Sequence, residues 1–170
     1  MYKNYNWLPD FVYGSIDGII TTFAVVSAVE GGGLAPKILL IMGFANLLAD
    51  GFSMATSKYL SDKAELDQDL EIVSAKNPIV GGAYTFLAFI VLGSVPLLAY
   101  VLQPILNLEL DFTFSLAIGL TLAALFFVGF LKGHFVAKSK LMAGLTTMSM
   151  GAVAALISYN VGFYIESLFV

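Results

Sequence analysis

The chain has 170 residues, of which 59% are hydrophobic and only 12% charged, and its mean hydropathy is +0.89. Soluble domains carry about 25% charged residues, so this composition excludes an ordinary soluble domain and indicates an integral membrane protein. The absence of cysteine excludes disulfides and thiolate chemistry, and the single histidine excludes a site built on two histidines of one chain. The basic residues are all lysines and form no cluster that would indicate nucleic-acid binding.

The apolar residues fall into five blocks, each long enough for the roughly 20 helical residues that cross a bilayer. We therefore expect an all-α membrane protein, a single domain with five transmembrane helices. The expected spans are 12–30, 36–60, 79–102, 112–131 and 141–165. Residues 61–78 are expected to form a short acidic cytoplasmic linker.

The first eleven residues mix aromatic and charged side chains, which is typical of a membrane-interface anchor. Within residues 12–29, Asp17 is the only charged side chain. Gly14 and Gly18 flank it at a spacing that lets another helix approach closely. The glycines at 31–33 leave only a short turn, so the first two spans are expected to form an antiparallel hairpin.

The second span carries a polar stripe within an otherwise apolar helix. Its members recur every four residues and therefore share one face: Met42, Asn46, Asp50, Met54 and Lys58. A carboxylate in hydrocarbon costs about 2.5–3.5 kcal/mol on insertion scales, so Asp50 is expected to face a protected interior or a water-filled path. The stripe therefore predicts a route for a cation.

Two membrane carboxylates on adjacent antiparallel helices are the most informative feature of the sequence. Asp17 and Asp50 supply charge, and Asn46 supplies a neutral oxygen. Met54 supplies a thioether, which favours a transition metal over calcium or magnesium. We predict these four residues as metal ligands, and Asp17 and Asp50 also as carriers of a proton. The competing interpretation is that both acids cap helix ends or pair with lysines near the interface.

The segment after Leu60 is strongly acidic. If the second helix continues, Asp62, Glu65 and Asp69 fall loosely on the side of Met54. They are predicted to gather metal at the cytoplasmic mouth of the route, and a solvated helix end is the alternative.

Two further patterns concern packing and helix ends. Asn77 and Pro78 are expected to stop the extended second helix, and Pro96 to kink the third span near its end. Small residues recur every four positions on the second span and predict a close-packing face for another helix or a second subunit: Ala45, Ala49, Ser53 and Ser57.

Lysine placement predicts the orientation of the chain. With five crossings, the amino terminus and the segments 61–78 and 132–140 share one side, and only Lys37 lies on the other. The positive-inside rule then places the amino terminus in the cytoplasm and the carboxyl terminus outside or in a lumen.

Four sequence stretches resemble the vacuolar iron transporter family. DGIITTFAVVSAVEGGG (17–33) and NLLADGFSMATSKYLSDKAE (46–65) resemble its first two helices. GFLKGHFVAKSKLMAGL (129–145) and AALISYNVG (154–162) resemble the passage from its fourth to its fifth helix.

The resemblance implies a five-helix homodimer without a resident cofactor, which moves ferrous iron or manganese out of the cytoplasm in exchange for protons. It also implies contact with membrane lipid, in the cell membrane of a prokaryote or in a vacuolar or other organelle membrane of a eukaryote. The pathway acid of the family matches Asp17, and its methionine matches Met54. Eukaryotic relatives carry a glutamate at the position of Asn46, and Asp50, one turn further on, is expected to supply that charge. Many members also insert a glutamate-rich metal-binding domain between the second and third helices, which this chain lacks.

Two other functions remain open on the residues alone. An exporter of organic cations would place aromatic residues around Asp50, and the stripe has none. A non-transporting membrane subunit would pair its acids with basic residues of a partner protein. An enzyme is not expected, because neither a Ser-Lys pair nor a histidine cluster is evident.

Overall fold

The computed structural model describes residues 7–68, 77–136 and 139–169. These residues form six α-helices and no strand, which confirms the all-helical prediction. In chain order the helices are α1 (Leu8–Gly31), α2 (Pro36–Asp67), α3 (Pro78–Gly93), α4 (Val95–Leu106), α5 (Leu110–Phe135) and α6 (Lys140–Phe169).

Four of these helices, α1, α2, α5 and α6, are each long and apolar enough to cross a membrane. The helices α3 and α4 reach that length only together, as a pair bent by 41° at a short break. The described residues thus contain four continuous spans, or five when the broken pair is counted. The expectation of five transmembrane helices therefore holds only if the bent pair is one span, because the expected span 79–102 consists of two helices.

The break between α3 and α4 lies at Ser94 and has a local chemical cause. Pro96 has no N–H to donate to the carbonyl of Leu92, and its ring crowds that carbonyl. The N–H of Leu97 bonds instead to the carbonyl of Ser94 at 3.0 Å. The Ser94 hydroxyl donates to the carbonyl of Val91 at 2.8 Å. The kink predicted from Pro96 is therefore confirmed, and it lies just before the proline.

The central helix is α1, which packs against α3 along one face and against α6 along another. A Cβ atom on Gly14 would lie 2.4 Å from the main-chain oxygen of Thr85. One on Gly18 would lie 2.6 Å from the main-chain oxygen of Phe89. The close approach predicted from the spacing of these glycines is confirmed, and the partner helix is α3.

The turn between α1 and α2 is short, as the glycines predicted. Gly33 has a positive φ of 61°, a left-handed conformation that glycine adopts without strain. Pro36 then begins α2, where its missing N–H costs nothing. The helix continues past Leu60 to Asp67, as expected for a second helix that extends beyond the apolar block.

Asn77 and Pro78 begin α3 rather than end α2, which has already ended at Asp67. The Asn77 side-chain oxygen accepts the N–H of Ile79 at 3.1 Å, and Pro78 occupies the first turn of the helix. Asparagine before the first helical residue and proline at that residue are typical of a helix start. The prediction that these residues stop the second helix is therefore wrong.

Candidate metal site

Asp17 and Asp50 come together where the antiparallel helices α1 and α2 pack against each other. The Asp50 carboxylate is close enough to act electrostatically on that of Asp17. Both residues are partly buried. Neither forms an ion pair with a lysine in the described parts of the chain, so the lysine-pairing alternative finds no support there.

Asn46 and Met54 lie one turn before and one turn after Asp50 on the same helix, and both are partly buried. The amide nitrogen of Asn46 is buried and has no hydrogen-bond partner among the described residues. Met54 packs against the main apolar cluster of the protein. An unsatisfied buried polar group costs about 1–3 kcal/mol, so a water or ligand that satisfies the Asn46 amide would remove that cost.

A groove with a volume of about 560 Å³ runs along α1 beside Asp17. It is bounded by apolar side chains of α1 and by the last turn of α5, where Lys132 lies. The walls of this groove are thus almost entirely hydrocarbon, with Asp17 as the acidic group. Thr21, one turn after Asp17, donates its hydroxyl to the main-chain carbonyl of Asp17 at 2.8 Å.

The residues predicted at the cytoplasmic mouth are not arranged as an open acidic surface. Asp62 is only 1% exposed, and its carboxylate lies 2.6 Å from Lys58 Nζ. Glu65 is partly buried, and Asp69 lies outside the described residues. A metal role for Asp62 and Glu65 stays a prediction, and for Asp62 it would require displacement of the Lys58 ammonium.

Sequence reasoning missed a contact that joins α1 to this end of α2. Lys58 Nζ lies 3.1 Å from Asp10 Oδ1. The pairing of Lys58 with Asp62 has a sequence signal, because residues four apart are neighbours on a helix. The contact with Asp10 has none, since it depends on how two helices pack.

Another interhelix contact lies at the opposite end of α1. The Tyr100 hydroxyl on α4 donates a hydrogen bond of 2.5 Å to Glu30 Oε1. Tyr100 is 1% exposed, so this bond is shielded from water on the tyrosine side. It joins the carboxyl-terminal end of α1 to α4.

The small-residue face of α2 is largely uncovered by the rest of the chain. All four of its members are exposed: Ala45, Ala49, Ser53 and Ser57. The opposite face of α2, around Leu47 and Gly51, is buried against α3 and α4. The close-packing partner predicted for the small-residue face is therefore not another described helix of the same chain.

Among the described segments, no three histidine, cysteine, aspartate or glutamate side chains gather closely enough to form a metal-binding cluster. The four predicted ligands comprise two carboxylates, one amide and one thioether. Such a set resembles a weak binding site more than a structural metal centre, which holds its ion with four strong ligands.

The sequence model of the VIT family matches residues 8–72 and 65–163 of the chain. These two stretches cover α1 to α5 and most of α6, and they overlap at residues 65–72, from the end of α2 into the connection with α3.

Several curated relatives are similar over nearly the whole chain. The vacuolar iron transporter of Plasmodium berghei is 25% identical, with 94% of this chain and 82% of the relative covered. That of Toxoplasma gondii is 26% identical, with 95% and 75% covered. Vacuolar iron transporter 1 of Arabidopsis thaliana is 24% identical, with 88% and 82% covered.

The alignments also show that this chain is short. The alignment with the Plasmodium berghei protein extends over 225 positions, whereas the present chain has 170 residues, so the relative carries inserted residues. The division of the family match between α2 and α3 agrees with an insertion at that point. The chain therefore belongs to the VIT family, as a short, multi-pass integral membrane member.

Proposed function

We propose that the protein exports a divalent transition metal, Fe²⁺ or Mn²⁺, from the cytoplasm in exchange for protons. The observation that carries the proposal is the approach of Asp17 and Asp50 on adjacent membrane helices. Two facing carboxylates in a membrane need compensating positive charge, which a divalent ion or protons can supply. The names of the relatives, vacuolar iron transporters, support metal transport.

The ligand chemistry agrees with transit rather than storage. A transport site must bind its ion well enough to admit it and weakly enough to release it. Asp17 and Asp50 would supply hard oxygen ligands, Asn46 a neutral oxygen, and Met54 a soft sulfur that favours iron or manganese over magnesium. When the metal leaves, two negative charges remain, and a proton on each carboxylate would neutralise them, which couples metal export to proton uptake.

We further propose that the protein works as a homodimer with the metal route near the subunit boundary. The small-residue face of α2 is exposed in the protomer, and small residues allow membrane helices to pack closely. Asp17 lines a groove on the side of α1. A second copy that packs on these faces would shield the acids from lipid and complete the wall of the route.

The proposed orientation has the amino terminus in the cytoplasm, and it can be tested with single cysteines, because the natural chain has none. Ser139→Cys between α5 and α6 should react with a membrane-impermeant maleimide only from the cytoplasmic side. Glu109→Cys between α4 and α5 should react only from the opposite side. Both positions are exposed. The reverse labelling pattern would contradict the orientation.

The transport proposal is tested with purified protein in vesicles under an imposed pH gradient, with Fe²⁺ and Mn²⁺ uptake followed separately. Wild-type protein should move metal only while the gradient is present. Asp17→Asn and Met54→Ala should lower the flux by at least about tenfold, the range seen when groups that support a metal site are lost. The matched control is Asp111→Asn, which removes the same charge from an exposed position in the first turn of α5.

The outcomes separate the proposed function from its rivals. Flux without dependence on the gradient would exclude proton exchange and leave facilitated diffusion. No flux from correctly folded dimers would exclude transport by this chain alone, as expected for a non-transporting subunit. Uptake of a quaternary ammonium ion in place of metal would identify an exporter of organic cations.

A further inference from the structure

Three charged side chains form a buried cluster near the start of α1 and the later part of α2. Lys58 Nζ lies 3.1 Å from Asp10 Oδ1, and 2.6 Å and 2.7 Å from the two carboxylate oxygens of Asp62. Asp10 is 5% exposed and Asp62 is 1% exposed. We call these three residues the Lys58 clamp, because Lys58 joins α1 to α2 through them.

The Lys58 clamp and the Asp17–Asp50 pair are successive layers of the same two helices. Asp10 precedes Asp17, and Lys58 follows Asp50, by about two helical turns, so each lies roughly 10–12 Å from its counterpart along the axis. Both helices are unbroken between the two layers. Because a continuous helix moves as a rigid body over this length, fixing α2 at Lys58 also limits its rotation and sliding at Asp50.

The electrostatic forces in the two layers have opposite signs. Asp17 and Asp50 carry like charges that raise each other's energy, which favours separation of α1 from α2. The Lys58–Asp10 ion pair attracts the same two helices toward each other. Its carboxylate is largely buried, so this attraction is screened less by salt than that of an exposed pair.

We propose that the Lys58 clamp holds Asp17 and Asp50 at their binding separation before metal arrives. Lys58 is a positioning residue: it acts through Asp10 on the helix pair and does not contact the ion. This inference rests on the proposed function and deepens it, because it assigns the clamp a part in setting the metal affinity of the same site.

Substitution of Lys58 distinguishes this role from direct metal binding by the clamp carboxylates. In the positioning role, Lys58→Met lets the helices relax, and the KM for Mn²⁺ should rise about tenfold, as when second-layer support of a metal site is lost. If Asp10 and Asp62 instead bind the metal, Lys58→Met removes a competing cation, and the KM should fall. Lys63→Met is the matched control, since it removes the same charge from an exposed position on α2.

A second pair of variants keeps the test decisive, because Lys58→Met removes the ammonium from two buried carboxylates, and loss of one member of a buried ion pair is strongly destabilising. Asp10→Asn preserves the shape of the side chain and weakens the contact with Lys58 between the helices. It should raise the KM for Mn²⁺ while kcat stays within about twofold of wild type. Lys58→Arg should retain wild-type behaviour, since a guanidinium keeps the charge and has donors for two carboxylates.

The experiment measures Mn²⁺ flux against Mn²⁺ concentration in vesicles for all these variants. Asp67→Asn, which removes the same charge as Asp10→Asn from an exposed position near the end of α2, corrects for any general loss of negative charge. A larger rise in KM for Asp10→Asn than for Asp67→Asn supports the proposal. An equal KM in the two variants, or a lowered KM in folded Lys58→Met, overturns it.

A distance measurement separates failure of the clamp from failure of the proposed function. Spin labels on cysteines that replace Tyr13 and Thr56, both exposed, report the spacing of α1 and α2 in protein diluted with unlabelled copies. Asp10→Asn should broaden this distance distribution. If wild-type protein moves no metal, the proposed function fails. In that case the spin-label distances alone test whether the Lys58 clamp positions the helices. An unchanged distance distribution in Asp10→Asn contradicts the clamp.

Discussion

The two faces of α1 make contacts of opposite character. Toward α3, Gly14 and Gly18 bring main chain against main chain, with no space for even one additional carbon atom. On another side, the same stretch of helix carries Asp17, which is partly exposed and lies close enough to the like-charged Asp50 of α2 to interact with it electrostatically. Close packing at the first contact stabilises the fold, whereas repulsion between the two carboxylates destabilises it locally.

This difference shows how a membrane protein of this size can keep two acidic side chains near each other in its spanning helices. The rigid contact between α1 and α3 fixes the helix that carries Asp17, so the opposite face can keep a polar, open arrangement without loss of the fold. Buried polar groups that lack an evident structural benefit are expected at functional sites. We therefore expect substitutions on the two faces to separate stability from transport.

The largest effect is expected from Gly18→Leu, which should break the rigid contact. The first added atom would already lie 2.6 Å from the Phe89 main-chain oxygen, which cannot move aside as a flexible side chain can. We expect little or no folded protein by size-exclusion chromatography in detergent. Gly119→Leu is the matched control, because a Cβ atom there meets nothing within 4 Å. Normal folding of Gly18→Leu would show that α1 and α3 are not tightly packed.

A smaller effect on the fold, but a large one on transport, is expected from Asp50→Asn. Removal of one of two like charges relieves repulsion, so the thermal unfolding midpoint should stay the same or rise. Metal flux should fall by at least about tenfold, because a charged ligand of the proposed site is lost. The midpoint is measured by intrinsic tryptophan fluorescence and the flux in vesicles. A fall in both would indicate that Asp50 has a structural role.

The smallest effect on the protomer is expected from Ala49→Leu on the exposed face of α2. The added side chain meets no other described part of the chain, so the protomer should fold normally. In the proposed dimer, however, it would separate helices that pack through small residues. We expect a shift toward monomer in light scattering at low protein concentration. An unchanged dimer would place the subunit boundary elsewhere.

Features that depend on local sequence were predictable. The hairpin of α1 and α2, the close approach at Gly14 and Gly18, and the kink before Pro96 all follow from residues a few positions apart. The residue types of Asn77 and Pro78 did not determine whether they end one helix or begin the next, because proline is common both after helices and in their first turn. The structure assigns them to the start of α3 through the bond from Ile79 to Asn77.

Features that depend on packing between helices were only partly predictable. The stripe on α2 could be derived from its four-residue spacing, and its approach to Asp17 from the short turn. The pairing of Lys58 with Asp10 could not, because many rotations of α2 against α1 are compatible with the same sequence. For the same reason Asp62 was predicted as an accessible acid, although its carboxylate is buried against Lys58.

The place of Asp50 along α2 has a consequence for the response of the protein to membrane voltage. In the proposed orientation, if α2 enters the hydrocarbon at Pro36, Asp50 lies about 21 Å along a layer that is about 30 Å thick, or roughly a third of the thickness from the cytoplasmic side. A divalent ion that reaches Asp50 from that side has then crossed about a third of the field. At 100 mV this amounts to about 1.5 kcal/mol, close to a tenfold change in occupancy. A negative potential in the cytoplasm would therefore oppose metal export. Uptake of protons by the same carboxylates would offset that opposing force.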